Sequence, residues 1–139
     1  MTPVEALQNA LAAEHASVYL YGLLGARASA SAQPVLFDRL QQAYADHRTA
    51  RDDLVARLAR RDVDPVASET DYAPPGPVST PAQIEAVART LERRVALTYG
   101  ETVAHTSGED RLAAIDALDA AAVRGLGFGE PPTAFPGLA

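Results

Sequence analysis

The stretch Leu11–Gly25, LAAEHASVYLYGLLG, is a long helical run with Glu14 near its centre. Between Ala6 and Ala26, Glu14 is the only formal charge. Counting by three and four residues gives a seam typical of a helix that faces a bundle core: Val4, Leu7, Leu11, Glu14, Val18, Tyr21 and Gly25. Because a carboxylate buried in such a seam is costly without a partner, the rest of the chain is expected to supply one.

Composition limits the class of protein. At 139 residues the chain has the usual length of one domain. A net charge of −6 argues against nucleic acid as a partner, and the lack of cysteine excludes disulfides and iron–sulfur clusters. No run has the pattern of a signal peptide or of a membrane-spanning helix. These features predict a cytoplasmic protein with neither nucleic acid nor a membrane as its partner.

Helix signals divide the chain into two hairpins. Thr2-Pro3-Val4-Glu5 and Thr80-Pro81-Ala82-Gln83 are capping boxes with proline after the cap. The segment from Val63 to Ser79 holds four prolines, which exclude a helix, and is long enough to cross a bundle. Two antiparallel hairpins joined by one long crossover form the ferritin-like arrangement. We therefore predict an all-α, four-helix bundle as a single domain over residues 1–139, with helices at about 3–28, 34–62, 81–106 and 108–126 and an irregular tail over 127–139.

Polar residues occupy the middle of each predicted helix. They are Glu14, His47, Glu92 and Asp119, with Tyr44, Arg51 and Asp116 one turn from them or beside them. The middles of antiparallel helices lie at one level, so these side chains are expected to converge in one polar layer. The predicted seam of helix 4 contains Leu112, Ile115, Asp119, Ala122 and Leu126. Carboxylates and an imidazole on facing helices are a common way to build a metal site, so a metal ion, if bound, would be held by Glu14, His47, Glu92 and Asp119.

Four short motifs carry a family resemblance. They are Glu14-His15-x-x-x-Tyr19-x-Tyr21-Gly22, His47-Arg48-x-x-Arg51-Asp52, Leu91-Glu92 and Ala134-Phe135-Pro136-Gly137-Leu138. With these motifs the chain resembles the ferritin-like superfamily, and more narrowly a small uncharacterised family of ferritin-like domain proteins, a domain of unknown function. The resemblance implies a four-helix bundle, and it implies no particular activity.

The metal ligands of the ferritin-like superfamily are matched only in part. Metal-binding members use a Glu from each of two helices and Glu-x-x-His from each of the other two. Glu14, Glu92 and His47 match that scheme, but Tyr44 stands where the Glu of helix 2 is expected. Helix 4 has Asp116-x-x-Asp119 and no histidine, and Arg51 brings a positive charge to the expected second metal position.

Two functional classes remain open. In the favoured one, Glu14, Glu92 and Asp119 pair with Arg51 and hydrogen-bond to Tyr44 and His47, and the protein is a non-enzymatic binding or assembly module with no cofactor and no catalytic residue. The alternative is a redox or metal-handling protein that binds iron or manganese in a reduced site. A small-molecule pocket lined by Tyr19, Tyr21, Tyr44 and Tyr99 ranks third.

Two further expectations concern apolar surface. The side of helix 1 away from its seam has no charge and contains Ala13, Ser17, Leu20 and Leu24. Since so much exposed apolar surface is unusual in a monomer, we predict a homodimer through helix 1. Phe128, Phe135 and Leu138 are bulky apolar residues of the tail, which is therefore expected to fold back over the bundle.

Overall fold

The computed structural model describes residues 1–138 and folds them into four helices without a strand. The helices are α1 (Pro3–Arg27), α2 (Pro34–Ala59), α3 (Pro81–His105) and α4 (Gly108–Gly127). The predicted all-α class is confirmed. The largest difference in bounds is the end of α2, which stops before Asp62 because that residue adopts the left-handed conformation, with φ 55°. The Val63 N–H then bonds the Leu58 carbonyl, which closes the helix end.

Both predicted capping boxes are present. The Thr2 side chain accepts from the Glu5 N–H, and Glu5 accepts in return from the Thr2 N–H. Thr80 and Gln83 make the same reciprocal pair at the start of α3. Each pair satisfies N–H groups that the first helical turn leaves unbonded, so α1 and α3 begin where the sequence predicts.

Two apolar clusters fill the interior. The first joins the C-terminal half of α1 to the N-terminal halves of α2 and α3, and includes Leu24, Leu40 and Leu91. The second joins the N-terminal half of α1 to the C-terminal halves of α2 and α3, and includes Leu11 and Leu58. Consequently α2 and α3 run in the same direction and α1 runs against both. Helix α1 packs on both α2 and α3, and α3 packs on α4. Helices α2 and α4 have only a small contact with each other.

The connection between α2 and α3 lies along α1. The Gln8 side chain accepts from the Val66 N–H at 2.8 Å, and His15 Nε2 lies 2.9 Å from the Val66 carbonyl oxygen. Farther along α1, the rings of Tyr19 and Tyr72 lie 5.6 Å apart. These contacts share one face of α1, so the connection covers a stripe of that helix, and His15 serves to hold it.

The uncharged side of α1 is buried within its own chain. Ser17, Leu20 and Leu24 are all buried, and both leucines belong to the first apolar cluster. The expectation of exposure assumes that a helix of a monomeric bundle contacts the core with one face only and turns its other face to water. Here α1 contacts two helices and the connection. The homodimer stays a prediction, but the exposed surface that motivated it is not found on this side of α1.

Helix α4 faces the core with a different side from the predicted one. Its buried residues are Ala114, Ala121 and Gly125. The predicted seam residues Leu112, Ile115, Leu126 and Asp119 are exposed, and Ala122 is half-buried. The small residues allow α4 to approach α3 closely, and that close packing determines which side faces inward. Assigning the seam by the largest apolar residues therefore gave the wrong side.

The tail turns back over α3 and α4. Phe128 is buried, with its ring centroid 6.1 Å from that of Tyr21. The Glu130 N–H bonds the Gly125 carbonyl, and Gly137 approaches the backbone of α3 at Gly100. The expected return is thus found, but Phe135 and Leu138 remain 72% and 70% exposed.

Gly100→Ala should release the end of this tail. A Cβ at Gly100 would overlap the Gly137 carbonyl oxygen, a backbone atom that can avoid the overlap only if the tail moves away from α3. Alanine inside a helix otherwise favours stability by about 1 kcal/mol. We expect a folded bundle in which protease removes the tail faster. Gly22→Ala is the matched control, because its Cβ would make an ordinary 3.6 Å contact with Tyr44. Equal cleavage of the two variants would contradict the tail contact.

Candidate functional site

A buried histidine lies at the centre of the four helices. His47 of α2 is fully buried, as are Glu14 of α1 and Glu92 of α3. Its Nδ1 lies 2.5 Å from Glu14 Oε2, and its Nε2 lies 2.8 Å from Glu92 Oε1. Both ring nitrogens therefore meet a carboxylate, and the imidazole joins α1 to α3 through α2. These residues come from mid-helix positions, between the two apolar clusters.

Two tyrosines and an arginine complete the network. The Tyr99 hydroxyl donates to Glu14 Oε1 at 2.6 Å, and the Tyr21 hydroxyl donates to Glu92 Oε1 at 2.8 Å. The Tyr21 ring also stacks on the His47 ring, with centroids 5.2 Å apart. Arg124 of α4 donates from Nε to the same Glu92 Oε1 at 2.9 Å. Each of the four helices thus contributes to one hydrogen-bonded layer.

The layer shifts the pKa values of its members. Burial lowers the pKa of His47, but the hydrogen bonds and charges of Glu14 and Glu92 outweigh burial and raise that pKa to about 9. Burial raises the pKa of Glu92, while His47 and Arg124 lower it more, so that its pKa falls below the usual 4.5. Burial and the neighbouring carboxylates hold the pKa values of Tyr21 and Tyr99 well above 10. At neutral pH the histidine is therefore an imidazolium and both tyrosines stay protonated donors.

The charges of the layer balance. With both carboxyl groups ionised, Glu14 and Glu92 carry two negative charges, which the imidazolium of His47 and the guanidinium of Arg124 match, and Arg124 also pairs at 3.7 Å with Asp46 outside the layer. Three donors converge on Glu92 Oε1, whereas Glu92 Oε2 is buried without a hydrogen-bond partner within residues 1–138. An unpartnered buried carboxylate oxygen is costly. It is the one side-chain atom in this layer left unsatisfied in the described part of the chain.

The structure brings together only some of the predicted site residues. Glu14, His47 and Glu92 converge as expected. Asp119 and Asp116 are exposed on α4, which follows from the different side that this helix turns inward. Tyr44 is half-buried and lies under the Arg48 guanidinium, 5.6 Å from ring centroid to Cζ, rather than in the layer.

Arg51 is not the core cation. It is partly exposed and pairs with its neighbour Asp52 at 3.0 Å. Arg124, which the sequence analysis did not single out, takes this role from α4. One sequence signal was available, because Arg124 interrupts the run Ala120–Gly127 of small and apolar residues. A long side chain flanked by small ones can reach into a core while its own backbone stays at the edge.

The arrangement does not fit a two-metal ligand set. Both nitrogens of His47 are occupied by carboxylates, and Arg124 brings a positive charge onto Glu92. Among residues 1–138, no group of three or more histidine, cysteine, aspartate or glutamate side chains has the geometry of a metal site. For Glu14, His47 and Glu92 to become ligands, His47 would have to lose its proton and Arg124 would have to move away.

A cleft between α2 and α4 leads to the layer. Its volume is about 520 Å³, and Glu14 and Tyr99 line its inner part. The cleft exists because the facing residues are small and leave the space between the two helices unfilled: Ala50, Ala113, Ala117 and Ala120. Aspartates line it as well, and three of them are paired: Arg57 bonds Asp53 and Asp110, and Arg124 pairs with Asp46 at 3.7 Å.

Comparisons with known proteins assign the family. Residues 6–139 match the model of a domain of unknown function, DUF4439. The chain belongs to the DUF4439 family. A similar solved structure is the crystal structure of a conserved hypothetical protein, rv2844, from Mycobacterium tuberculosis, with 31% identity and a TM-score of 0.84. The similarity covers 91% of this DUF4439 chain and 93% of that one. No curated protein matches the chain.

The predicted domain of unknown function is thus confirmed by the DUF4439 match. As for membranes, the helices within residues 1–138 include none with the length and apolar character needed to cross a bilayer. The family assignment carries no activity of its own. A function for this DUF4439 protein has to be argued from the buried layer and the cavities beside it.

Proposed function

We propose that this protein is a non-enzymatic binding or assembly module built on a ferritin-like four-helix bundle. In this proposal the ancestral metal site has become a charge-balanced hydrogen-bond network. The observation that carries it is the position of His47, whose two nitrogens each meet a carboxylate while Arg124 neutralises the second carboxylate. Such a layer pairs its charged groups without an ion and leaves Glu92 Oε2 as its one unsatisfied atom within residues 1–138, and its role is to fix how the helices fit together.

The path of the chain supports the ferritin-like part of the proposal. Helices α2 and α3 run in the same direction, so their connection has to travel the length of the bundle, and it does so along α1. Two helical hairpins with one long crossover are the arrangement of ferritin-like folds. The motifs around Glu14 and His47 point the same way.

The second candidate is a metal-binding redox or metal-handling protein. It is favoured by the convergence of Glu14, His47 and Glu92 and by the free Oε2 atom of Glu92. Iron or manganese would suit carboxylate and imidazole ligands. The cost is high, because the ion would displace the proton of His47 and compete with the guanidinium of Arg124.

Metal content separates the two candidates. The protein is purified without chelator, incubated with iron(II) or manganese(II), dialysed and measured by elemental analysis, alongside Glu14→Ala and Asp119→Ala. We expect far less than one ion per chain in all three proteins. Near-stoichiometric metal that is lost in Glu14→Ala but kept in Asp119→Ala, whose side chain is exposed, would refute the network and support the metal site.

A further inference from the structure

The outer side of α4 carries an apolar stripe that the described part of the chain leaves in water. Its four large apolar residues are 37–65% exposed. They are Leu112, Ile115, Val123 and Leu126. At 100° per residue, these four and Asp119 fall within an arc of about 80° on the helix. Beyond the first turn, the other charged residues of α4 are Asp116 and Arg124, which line the cleft towards α2. The outer stripe is therefore apolar except at Asp119.

The spacing along this stripe is the same in both directions. The steps are three, four, four and three residues, along Leu112, Ile115, Asp119, Val123 and Leu126. An antiparallel second copy of α4, related by a two-fold axis at Asp119, would therefore match apolar residues with apolar residues. Leu112 would face Leu126 of the partner subunit, and Ile115 would face Val123 of the partner subunit. Such self-matching is what a two-fold contact between identical chains requires.

Asp119 would fix the register of such a contact. It is exposed in the middle of the stripe, and at a two-fold axis it meets its own symmetry mate. Sliding one helix along the other would instead set the carboxylate against an apolar side chain, which is costly. A single polar residue in an apolar seam specifies register in this way while lowering affinity. Because the two facing carboxylates also repel each other, their removal should strengthen the contact.

Apolar side chains beside α4 enlarge this surface. Leu126 lines a groove between α3, α4 and the tail, together with three more exposed apolar residues. They are Leu97, Phe135 and Leu138. With the stripe, these make up seven of the eleven large apolar side chains that are exposed within residues 1–138. At on the order of 100 Å² each, the seven present on the order of 700 Å², close to the roughly 800 Å² that each partner contributes to a stable interface. A monomer rarely leaves so large an apolar patch in water.

We propose that two copies of this protein form a homodimer through the outer stripe of α4, with the two helices antiparallel and the two-fold axis at Asp119. The stripe contains the seam that the sequence predicts for α4, and its apolar residues would pack on a second copy instead of the bundle core. The expected dimer contact thereby moves from α1 to α4. This deepens the proposed function, on which it rests for treating the protein as an assembly module, because it names a second copy as the partner.

Sedimentation equilibrium up to high micromolar concentration tests the contact. We expect the unmodified protein to form dimers. Leu126→Glu should weaken them at least about tenfold, because it sets a carboxylate against Leu112 of the partner subunit. Asp119→Leu should tighten them at least about tenfold, because it removes the facing charges. Asp116→Leu is the matched control, since it removes the same charge from an exposed position of the same helix on the side of the cleft, and it should leave the affinity unchanged.

Cysteine cross-linking tests the register. The chain has no cysteine, so single cysteines can be introduced without background. Asp119→Cys should form a disulfide with its own symmetry mate on mild oxidation, because the axis brings the two positions together. Leu112→Cys and Leu126→Cys should cross-link faster when mixed than either does alone. Val66→Cys, exposed on the connection along α1, measures cross-linking by random collision.

Three results would overturn the proposal. These are a mass of one chain for both the unmodified protein and Asp119→Leu, a dimer unchanged by Leu126→Glu, and cross-linking of Asp119→Cys no faster than that of Val66→Cys. Thermal melts check that each variant folds. The outcome is distinct from that of the metal experiment. Metal uptake by a protein that dimerises would refute the network alone, whereas no uptake by a monomeric protein would refute the dimer alone.

Discussion

Glu92→Leu should lower the free energy of unfolding by about 3–5 kcal/mol, the usual cost of removing one partner from a buried ion pair. The substitution takes away the acceptor of three donors at once: His47, Tyr21 and Arg124. Tyr21 has a weak alternative in the Ala88 carbonyl at 3.5 Å. The cations of His47 and Arg124 would lose half of the negative charge that balances them.

Denaturant unfolding compares the free energies of unfolding of the unmodified protein, Glu92→Leu and the control Glu101→Leu. Glu101 is an exposed residue on the same helix, so its replacement should change the free energy of unfolding by no more than about 0.5 kcal/mol. Adding Arg124→Leu to Glu92→Leu should recover part of the loss, because it removes a mostly buried cation that would keep only its 3.7 Å pair with Asp46. Equal stability of Glu92→Leu and Glu101→Leu would show that the layer contributes nothing to folding.

Arg51 gives the contrasting expectation on α2. If Arg51 were the core cation that the sequence predicts, Arg51→Leu would strand the buried carboxylates and be more damaging than Glu14→Leu. In the structure it is partly exposed and pairs with Asp52, an interaction of the kind worth 0–1 kcal/mol. Glu14 accepts from Tyr99 and meets His47 in the interior. The order therefore reverses, and Glu14→Leu is the more damaging substitution.

Three residues of the site on α1, α2 and α3 were predictable from sequence because they break clear apolar seams, whereas Tyr21 and Tyr99 were expected in a small-molecule pocket and instead donate to Glu92 and Glu14. Glu14 and His47 lie in register with leucines, and burial of such residues requires partners. Glu92 was found in the same way, beside Leu91. These positions depend on helical periodicity alone, and the capping boxes fixed where α1 and α3 begin.

The part of the site that lies on α4 was not predictable from helical periodicity. Its larger apolar residues, such as Leu112 and Leu126, are exposed, while alanines and a glycine face α3. Periodicity cannot distinguish these sides, because the choice depends on how closely two backbones approach. The same close packing brings Arg124 to Glu92, and the small residues of α4 leave the cleft between α2 and α4 unfilled.

Stability should fall as the pH rises from 6 to 9.5, because of His47. Its pKa is raised from 6.5 to about 9 in the folded protein. A raised pKa means that the folded state holds the proton more tightly, so this stabilisation is complete below pH 6.5 and is lost as the pH passes 9. A difference of about 2.5 pKa units corresponds to about 3 kcal/mol.

The other titrating members of the layer change stability mainly outside the range from pH 6 to 9.5. The lowered pKa of Glu92 gives stabilisation that is present above pH 4.5 and lost as the pH falls through its folded pKa. Tyr21 and Tyr99, whose pKa values are raised well above 10, oppose folding only where the unfolded tyrosines ionise. Measurements from pH 6 to 9.5 therefore isolate the histidine.

The experiment is denaturant unfolding at several pH values in that window, on the unmodified protein, His47→Gln and His105→Gln. His47→Gln should remove the slope because no titrating group remains between the carboxylates. His105→Gln should keep it, since His105 is exposed at the end of α3. NMR of the His47 ring should show an imidazolium at pH 8, with both N–H protons bonded to Glu14 and Glu92. A flat profile, or a slope that survives in His47→Gln, would mean that this imidazole is neutral in the folded protein, and that the balance of two positive and two negative charges does not hold.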